Sequence, residues 1–75
     1  PVGWQRQLAH ALTTGSAPMM WHTTLGQVRC VRCAERSDTL ILVGKTAHLR
    51  VHACAMCAPL VIEEGERSPS WVAAS

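Results

Sequence analysis

The sequence predicts a small α+β fold in which one short N-terminal helix precedes a three-stranded antiparallel sheet. Apolar residues near the start recur at the spacing of an amphipathic helix, and two apolar stretches in the middle have the length of strands. Four cysteines also form two C-x-x-C pairs. A chain of 75 residues is of a size at which the hydrophobic core alone gives marginal stability. We therefore expect a single domain stabilised by a metal ion.

The four cysteines are Cys30, Cys33, Cys54 and Cys57, in the segments CVRC and CAMC, which are separated by twenty residues. This spacing is typical of a structural zinc ion, because each tight turn points two sulfurs at one ion. We predict one Zn²⁺ per chain in a closed four-sulfur shell with no position for a substrate. Two alternatives stay open: two disulfides, which require an oxidising compartment, and an iron ion held by the same sulfurs.

The N-terminal segment is predicted to form a helix of two to three turns. Trp4, Leu8 and Leu12 recur every four residues, and Gly15 follows at a position suited to a left-handed C-terminal cap. The apolar face of this helix either covers the zinc module or docks a partner. The stretch Met19-Met20-Trp21 comes next, and it is either part of the core or an adaptable binding patch.

A β-hairpin is predicted between the two cysteine pairs. Residues 39–43 form a β-branched apolar run, residues 44–46 turn the chain, and residues 47–53 alternate strictly between apolar and polar. The second strand leads directly into Cys54. We expect a third short strand at residues 60–62, followed by a charged turn or tail in which Trp71 is either docked on the domain or available to a partner.

The order of cysteine turn, hairpin, cysteine turn and strand resembles a zinc ribbon of the rubredoxin-like group over about residues 27–63. The fold class would then be a small zinc-stabilised α+β domain with a zinc-ribbon sheet, preceded by a helix and connecting segment (1–26) and followed by a polar C-terminal tail (64–75). Zinc ribbons usually carry glycine after the second cysteine of each pair, where this chain has Ala34 and Ala58. A left-handed backbone there costs alanine about 1 kcal/mol, so we expect one or both turns to depart from the usual geometry.

The resemblance implies a non-enzymatic recognition module that binds or modulates a nucleic-acid machine, as a transcription-type regulator or accessory factor. The residues expected to contact nucleic acid are basic: Arg29, Arg32, Lys45, His48, Arg50 and His52. The first alternative is a protein–protein adaptor or homodimer that uses apolar side chains: Trp4, Leu8, Met19, Met20, Trp21 and Trp71. The second alternative is a rubredoxin-like iron electron carrier.

Several function classes find no support in the residues. No Ser-His-Asp set, pair of acids or open metal site can be identified, so we expect no enzymatic activity and no small-molecule substrate. The net charge of +2 is mild, and no run of about 18 apolar residues is present to cross a membrane. The sequence shows no secretory signal, and we expect a cytoplasmic protein without a membrane partner.

Overall fold

The computed structural model of the protein describes residues 3–34 and 39–74. Its elements, in chain order, are α1 (Gly3–Thr14), a single 3-10 turn (Met19–Trp21), β1 (Ile41–Lys45), β2 (Arg50–Ala53), α2 (Ala58–Gly65) and β3 (Val72–Ala73). The three strands form one antiparallel sheet in the order β2-β1-β3. This architecture confirms the predicted class, because a helix, a three-stranded sheet and a cysteine cluster fit a small zinc-stabilised α+β fold. Among the described residues, no helix is both long and apolar enough to cross a membrane.

The predicted N-terminal helix is confirmed as α1. Its apolar face buries Leu8, Ala11 and Leu12 in the core, and Trp4 packs against that core while staying half-buried. The helix ends where Gly15 adopts a left-handed φ of 76°, and the Gly15 N–H donates a hydrogen bond of 2.8 Å to the Ala11 carbonyl. Glycine accepts this conformation without a steric penalty, which is why the helix ends at this residue.

The predicted hairpin is also confirmed, although its first strand lies two residues later than expected, so that Gly44 and Lys45 belong to the strand and not to the turn, and its second strand is shorter than expected. β1 and β2 pair from Ile41 opposite Ala53 to Lys45 opposite Arg50, with an irregularity between residues 42 and 44. Residues 47–49 belong to the turn, where the backbone N–H of Leu49 donates to the Thr46 hydroxyl at 3.2 Å. The hairpin packs against α2, and it buries Val43, Val51 and Ala53 while Lys45 and Arg50 stay exposed.

The strand predicted at residues 60–62 is wrong, because this segment lies inside α2. Pro59 stands in the first turn of the helix, where its missing N–H leaves no hydrogen bond unmade. Ala58, Val61 and Gly65 are the buried residues of α2, and their spacing of three and four is helical. The short apolar run at residues 60–62 is therefore part of a helix.

The third strand of the sheet comes instead from the C-terminal segment. Val72 and Ala73 pair with Lys45 and Gly44 of β1. The indole of Trp71 lies on two glycines, since a Cβ at Gly44 would lie 2.0 Å from Trp71 Cζ2 and a Cβ at Gly65 would lie 2.5 Å from Trp71 Cδ2. Trp71 is therefore docked on the domain, and the end of the predicted polar tail is part of the fold.

Candidate metal centre

The fold brings all four predicted ligands to one point. Cys30 and Cys33 lie in a turn, hereafter the first cysteine turn (30–33), while Cys54 follows β2 and Cys57 immediately precedes α2 in the second cysteine turn (54–57). Their sulfur atoms all lie within 4.8 Å of one another. Four sulfurs at about 2.3 Å from a tetrahedral zinc ion lie about 3.8 Å apart, so the cluster is compatible with one ion. The chain therefore has a possible four-cysteine metal site.

The two cysteine turns differ in backbone geometry. After the first turn, the Ala34 N–H donates to the Cys30 carbonyl at 2.8 Å, and Ala34 is the one non-glycine residue of the described chain with a positive φ, 60°. After the second turn, the Ala58 N–H donates to the Cys54 carbonyl at 2.9 Å and the chain continues as α2. The expectation that at least one turn departs from the glycine-type geometry is correct for the second turn.

Backbone donors in the cysteine turns favour the thiolate that a metal requires. Burial alone would raise the pKa of the Cys30 thiol, but backbone N–H groups of Cys33, Cys54 and Arg32 outweigh it and lower the pKa to about 7. Burial raises the pKa of the Cys57 thiol, and the hydrogen bond from Arg32 opposes that rise. Because only the thiolate binds metal, these donors prepare Cys30 as a ligand at neutral pH.

Arg32 lies between the metal site and the N-terminal helix. Its Nη1 donates to Cys57 Sγ at 3.5 Å, and its guanidinium carbon lies 5.8 Å from the centre of the Trp4 ring. The same hydrogen bond raises the pKa of Arg32, so the guanidinium stays charged. A zinc ion with four thiolates carries a formal charge of −2, which this cation offsets. Arg32, predicted to contact nucleic acid, thus lies at the metal site.

Four of the other predicted nucleic-acid residues line an open groove on the outer face of the hairpin. We call this the cationic groove; its positively charged or titratable side chains are Lys45, His48, Arg50, His52 and His22. No acidic residue is among the described residues that line it. Arg29 is half-buried and lines a small cavity that adjoins the groove. Sequence reasoning missed His22, which reaches the groove because His22 and Val28 form an isolated antiparallel bridge beside the hairpin.

The predicted partner-binding residues are divided between core and surface. Leu8 and Trp21 are buried, with exposed fractions of 1% and 4%, so neither side chain is available at the surface of this fold. Trp4 and Trp71 are half-buried, and Met20 is exposed. Met19 is 92% exposed, and a second apolar side chain nearby in sequence, Leu25, is 78% exposed. Sequence reasoning did not single out Leu25, because one leucine between polar residues carries no periodic signal.

Comparison with known proteins adds no relative. No family model matches the sequence, and neither the curated proteins nor the solved structures yielded a match.

Proposed function

We propose that the protein is a zinc-stabilised recognition module that binds nucleic acid, alone or within a nucleic-acid machine, through the cationic groove. The observation that carries this proposal is the pairing of Lys45 directly opposite Arg50 across β1 and β2. Like charges at such positions repel and reduce the stability of a sheet. An anionic ligand that bridges both side chains turns this unfavourable pair into a binding site.

A backbone hydrogen bond joins the first cysteine turn to the strand that lines the groove. The Val31 N–H, inside the first cysteine turn, donates to the His52 carbonyl at 3.1 Å, so the turn is joined to the strand that carries Arg50 and His52. A closed four-sulfur zinc site has no free coordination position, so its role is to hold the groove in shape. We therefore propose that the groove binds its ligand without catalysing a reaction.

The groove favours contacts to phosphates over contacts to bases. The described residues that line it include no aromatic ring other than histidine, so the stacking platform typical of single-strand binding is missing. Burial, followed by the charges of Arg50 and His22, lowers the pKa of His52, so this side chain carries little positive charge at neutral pH. Lys45 and Arg50 are the permanent cations of the groove. Binding through such cations depends steeply on salt and weakly on sequence.

The test is a fluorescence-anisotropy titration of labelled duplex and single-stranded oligonucleotides at two salt concentrations. We expect tighter binding to the duplex. The plot of log K against log salt concentration should have a negative slope, and Arg50→Ala should reduce the magnitude of that slope by about one. Arg6→Ala is the matched control, because Arg6 is exposed on α1 and does not line the groove. Salt-independent binding, or an equal effect of both substitutions, would contradict the proposal.

A protein–protein adaptor or homodimer is the second candidate, supported by the exposure of Met19 and Leu25. Methionine suits such a surface because its flexible side chain adapts to different partners. The native mass, measured across a range of concentrations with metal analysis on the same sample, tests this candidate. A dimer that is lost on Met19→Ser supports it, and a monomer at every concentration counts against a homodimer. The metal analysis also separates zinc from the iron of an electron carrier.

A further inference from the structure

Trp21 and Arg29 each carry a buried hydrogen-bond donor that lacks an acceptor among the described residues. Within residues 3–34 and 39–74, neither Trp21 Nε1 nor Arg29 Nε has a hydrogen-bond acceptor. Their residues are neighbours across a short antiparallel bridge, where the Arg29 N–H donates to the Trp21 carbonyl at 2.8 Å. A buried donor without an acceptor destabilises the fold, and more so when it carries charge. Two such donors in adjacent residues indicate a missing acceptor.

Both residues line one small cavity that adjoins the cationic groove. The cavity has a volume of about 10 Å³, and four of its lining residues, His22, Val28, Arg50 and His52, also line the groove. A volume of this size is about that of one water-sized sphere, so it admits a single oxygen atom. The atom bound to that oxygen would lie in the adjoining groove.

The chemistry of the lining favours an anion. Arg29 and Arg50 both carry a positive charge, and among the described residues that line the cavity no side chain carries a carboxylate, amide or hydroxyl group; the imidazoles of His22 and His52 are the side chains able to accept a hydrogen bond from a water. A water molecule accepts hydrogen bonds but must also donate two of its own, and a buried water typically makes about three. A phosphate oxygen only accepts, and its charge is complementary to two guanidinium groups.

We infer that the cavity binds one oxygen of a phosphate group, with the indole N–H of Trp21 and the Nε–H of Arg29 as donors and Arg50 as the neighbouring cation. The phosphorus and its other oxygens lie in the cationic groove. This inference rests on the proposed function and identifies the part of the nucleic acid that the groove recognises. Free phosphate has the same chemistry, so the experiment includes both sources.

The experiment follows the assigned indole N–H signals of the full-length, zinc-loaded chain in ¹H–¹⁵N NMR spectra. Inorganic phosphate is titrated at constant ionic strength, and a short duplex oligonucleotide is titrated separately. We expect a saturable shift of the Trp21 signal in both titrations. Trp71 is the internal control, because its Nε1 is also buried without an acceptor among the described residues, but Trp71 does not line the cavity.

Two variants test the donors. A charge-assisted hydrogen bond is lost on Arg29→Lys, which keeps the positive charge but has no donor at the Nε position, so we expect about tenfold weaker binding of phosphate. Because Arg29 is half-buried, a variant at the exposed Arg50 is measured in parallel: Arg50→Gln should weaken phosphate binding by a similar factor. Arg6→Gln, on the exposed surface of α1, should leave it unchanged.

The outcomes separate this site from the proposed function. Oligonucleotide binding that depends on Arg50 without any shift of the Trp21 signal would overturn the site and leave the function standing. A shift with inorganic phosphate alone, without oligonucleotide binding, would support the site and overturn the function. A Trp21 signal that shows contact with a bound water and does not respond to either ligand would overturn the site in favour of a structural water.

Discussion

Ala34 and Ala58 follow the second cysteine of each pair, yet their backbones differ. Ala34 has a left-handed φ of 60°, whereas Ala58 is the first residue of α2. The same substitution, alanine to glycine, should therefore change stability in opposite directions at the two positions. We expect Ala34→Gly to stabilise the protein and Ala58→Gly to destabilise it.

The magnitudes follow from the two conformations. A left-handed backbone costs an L-residue about 1–2 kcal/mol, and the greater freedom of glycine in the unfolded chain offsets part of the gain. Ala34→Gly should therefore raise the free energy of unfolding by about 1 kcal/mol. Ala58 is 8% exposed, so Ala58→Gly loses a buried methyl group as well as up to about 1 kcal/mol of helix propensity. We expect a loss of about 1–2 kcal/mol there.

The assay is urea unfolding followed by circular dichroism at one fixed concentration of free zinc. The zinc concentration must be identical for all three proteins, because a ligand that binds only the folded state adds to its stability. In thermal unfolding, each 1 kcal/mol corresponds to about 4–8 °C in a domain of this size. If Ala34→Gly lowers stability as Ala58→Gly does, the first cysteine turn does not hold Ala34 in the left-handed conformation.

Three further predictions concern removal of the metal, the packing of Trp71 and the hydrogen bond from Arg32 to Cys57. Removal of zinc by a strong chelator should unfold the domain, because a structural zinc ion contributes on the order of 10 kcal/mol to folding; retained dispersion of the NMR signals would contradict this. Gly44→Ala places a Cβ 2.0 Å from Trp71, so the indole must leave its position and tryptophan emission should shift to the red. Gly3→Ala is the control, because no atom of the described residues outside its chain neighbours and the nearby helix backbone lies within 4 Å of the added Cβ, and identical spectra of the two variants would count against the packing. Arg32→Ala removes the donor to Cys57 and should weaken zinc binding about tenfold in competition with a chromophoric chelator; an unchanged affinity would show that the contact is dispensable.

The parts of the fold that the sequence predicts are those with a local signal. The cysteine spacing predicts the cluster because two turns of fixed length determine where four sulfurs can meet. Trp4, Leu8 and Leu12 predict α1 because a period of about four residues, ended by Gly15, occurs within one segment. The hairpin follows from alternation over residues 47–53, although tertiary contacts decide where its strands end.

The parts that the sequence does not predict depend on contacts between distant segments. A run of three apolar residues is too short to separate strand from helix, and the available signal for α2 was Pro59 together with the spacing of Ala58, Val61 and Gly65. β3 has two residues and no periodicity, and Trp71 is held by Gly44 and Gly65 from two other elements. No local pattern specifies such a three-part contact.

In the candidate site, too, some residues are predicted by a local sequence signal and others depend on contacts between distant segments. The four ligands are identified by spacing alone, whereas the basic residues are equivalent in the sequence and differ only in the structure. Arg32 donates to Cys57, Arg29 lines the small cavity that adjoins the groove, and Lys45 and Arg50 lie opposite each other in the groove itself. Their roles depend on strand register and on the position of the first cysteine turn, which composition does not encode.

The four cysteines of the possible metal site differ in solvent exposure, so the site is accessible from one side. Cys30 and Cys57 are buried, Cys54 is partly covered and Cys33 is exposed. An incoming chelator or competing thiol therefore meets Cys33 first, while the sulfurs on the inner side stay bound until the backbone opens. Metal exchange should accordingly begin on one side of the ion and proceed one ligand at a time, so that the lifetime of the bound metal is set by local opening around the inner pair.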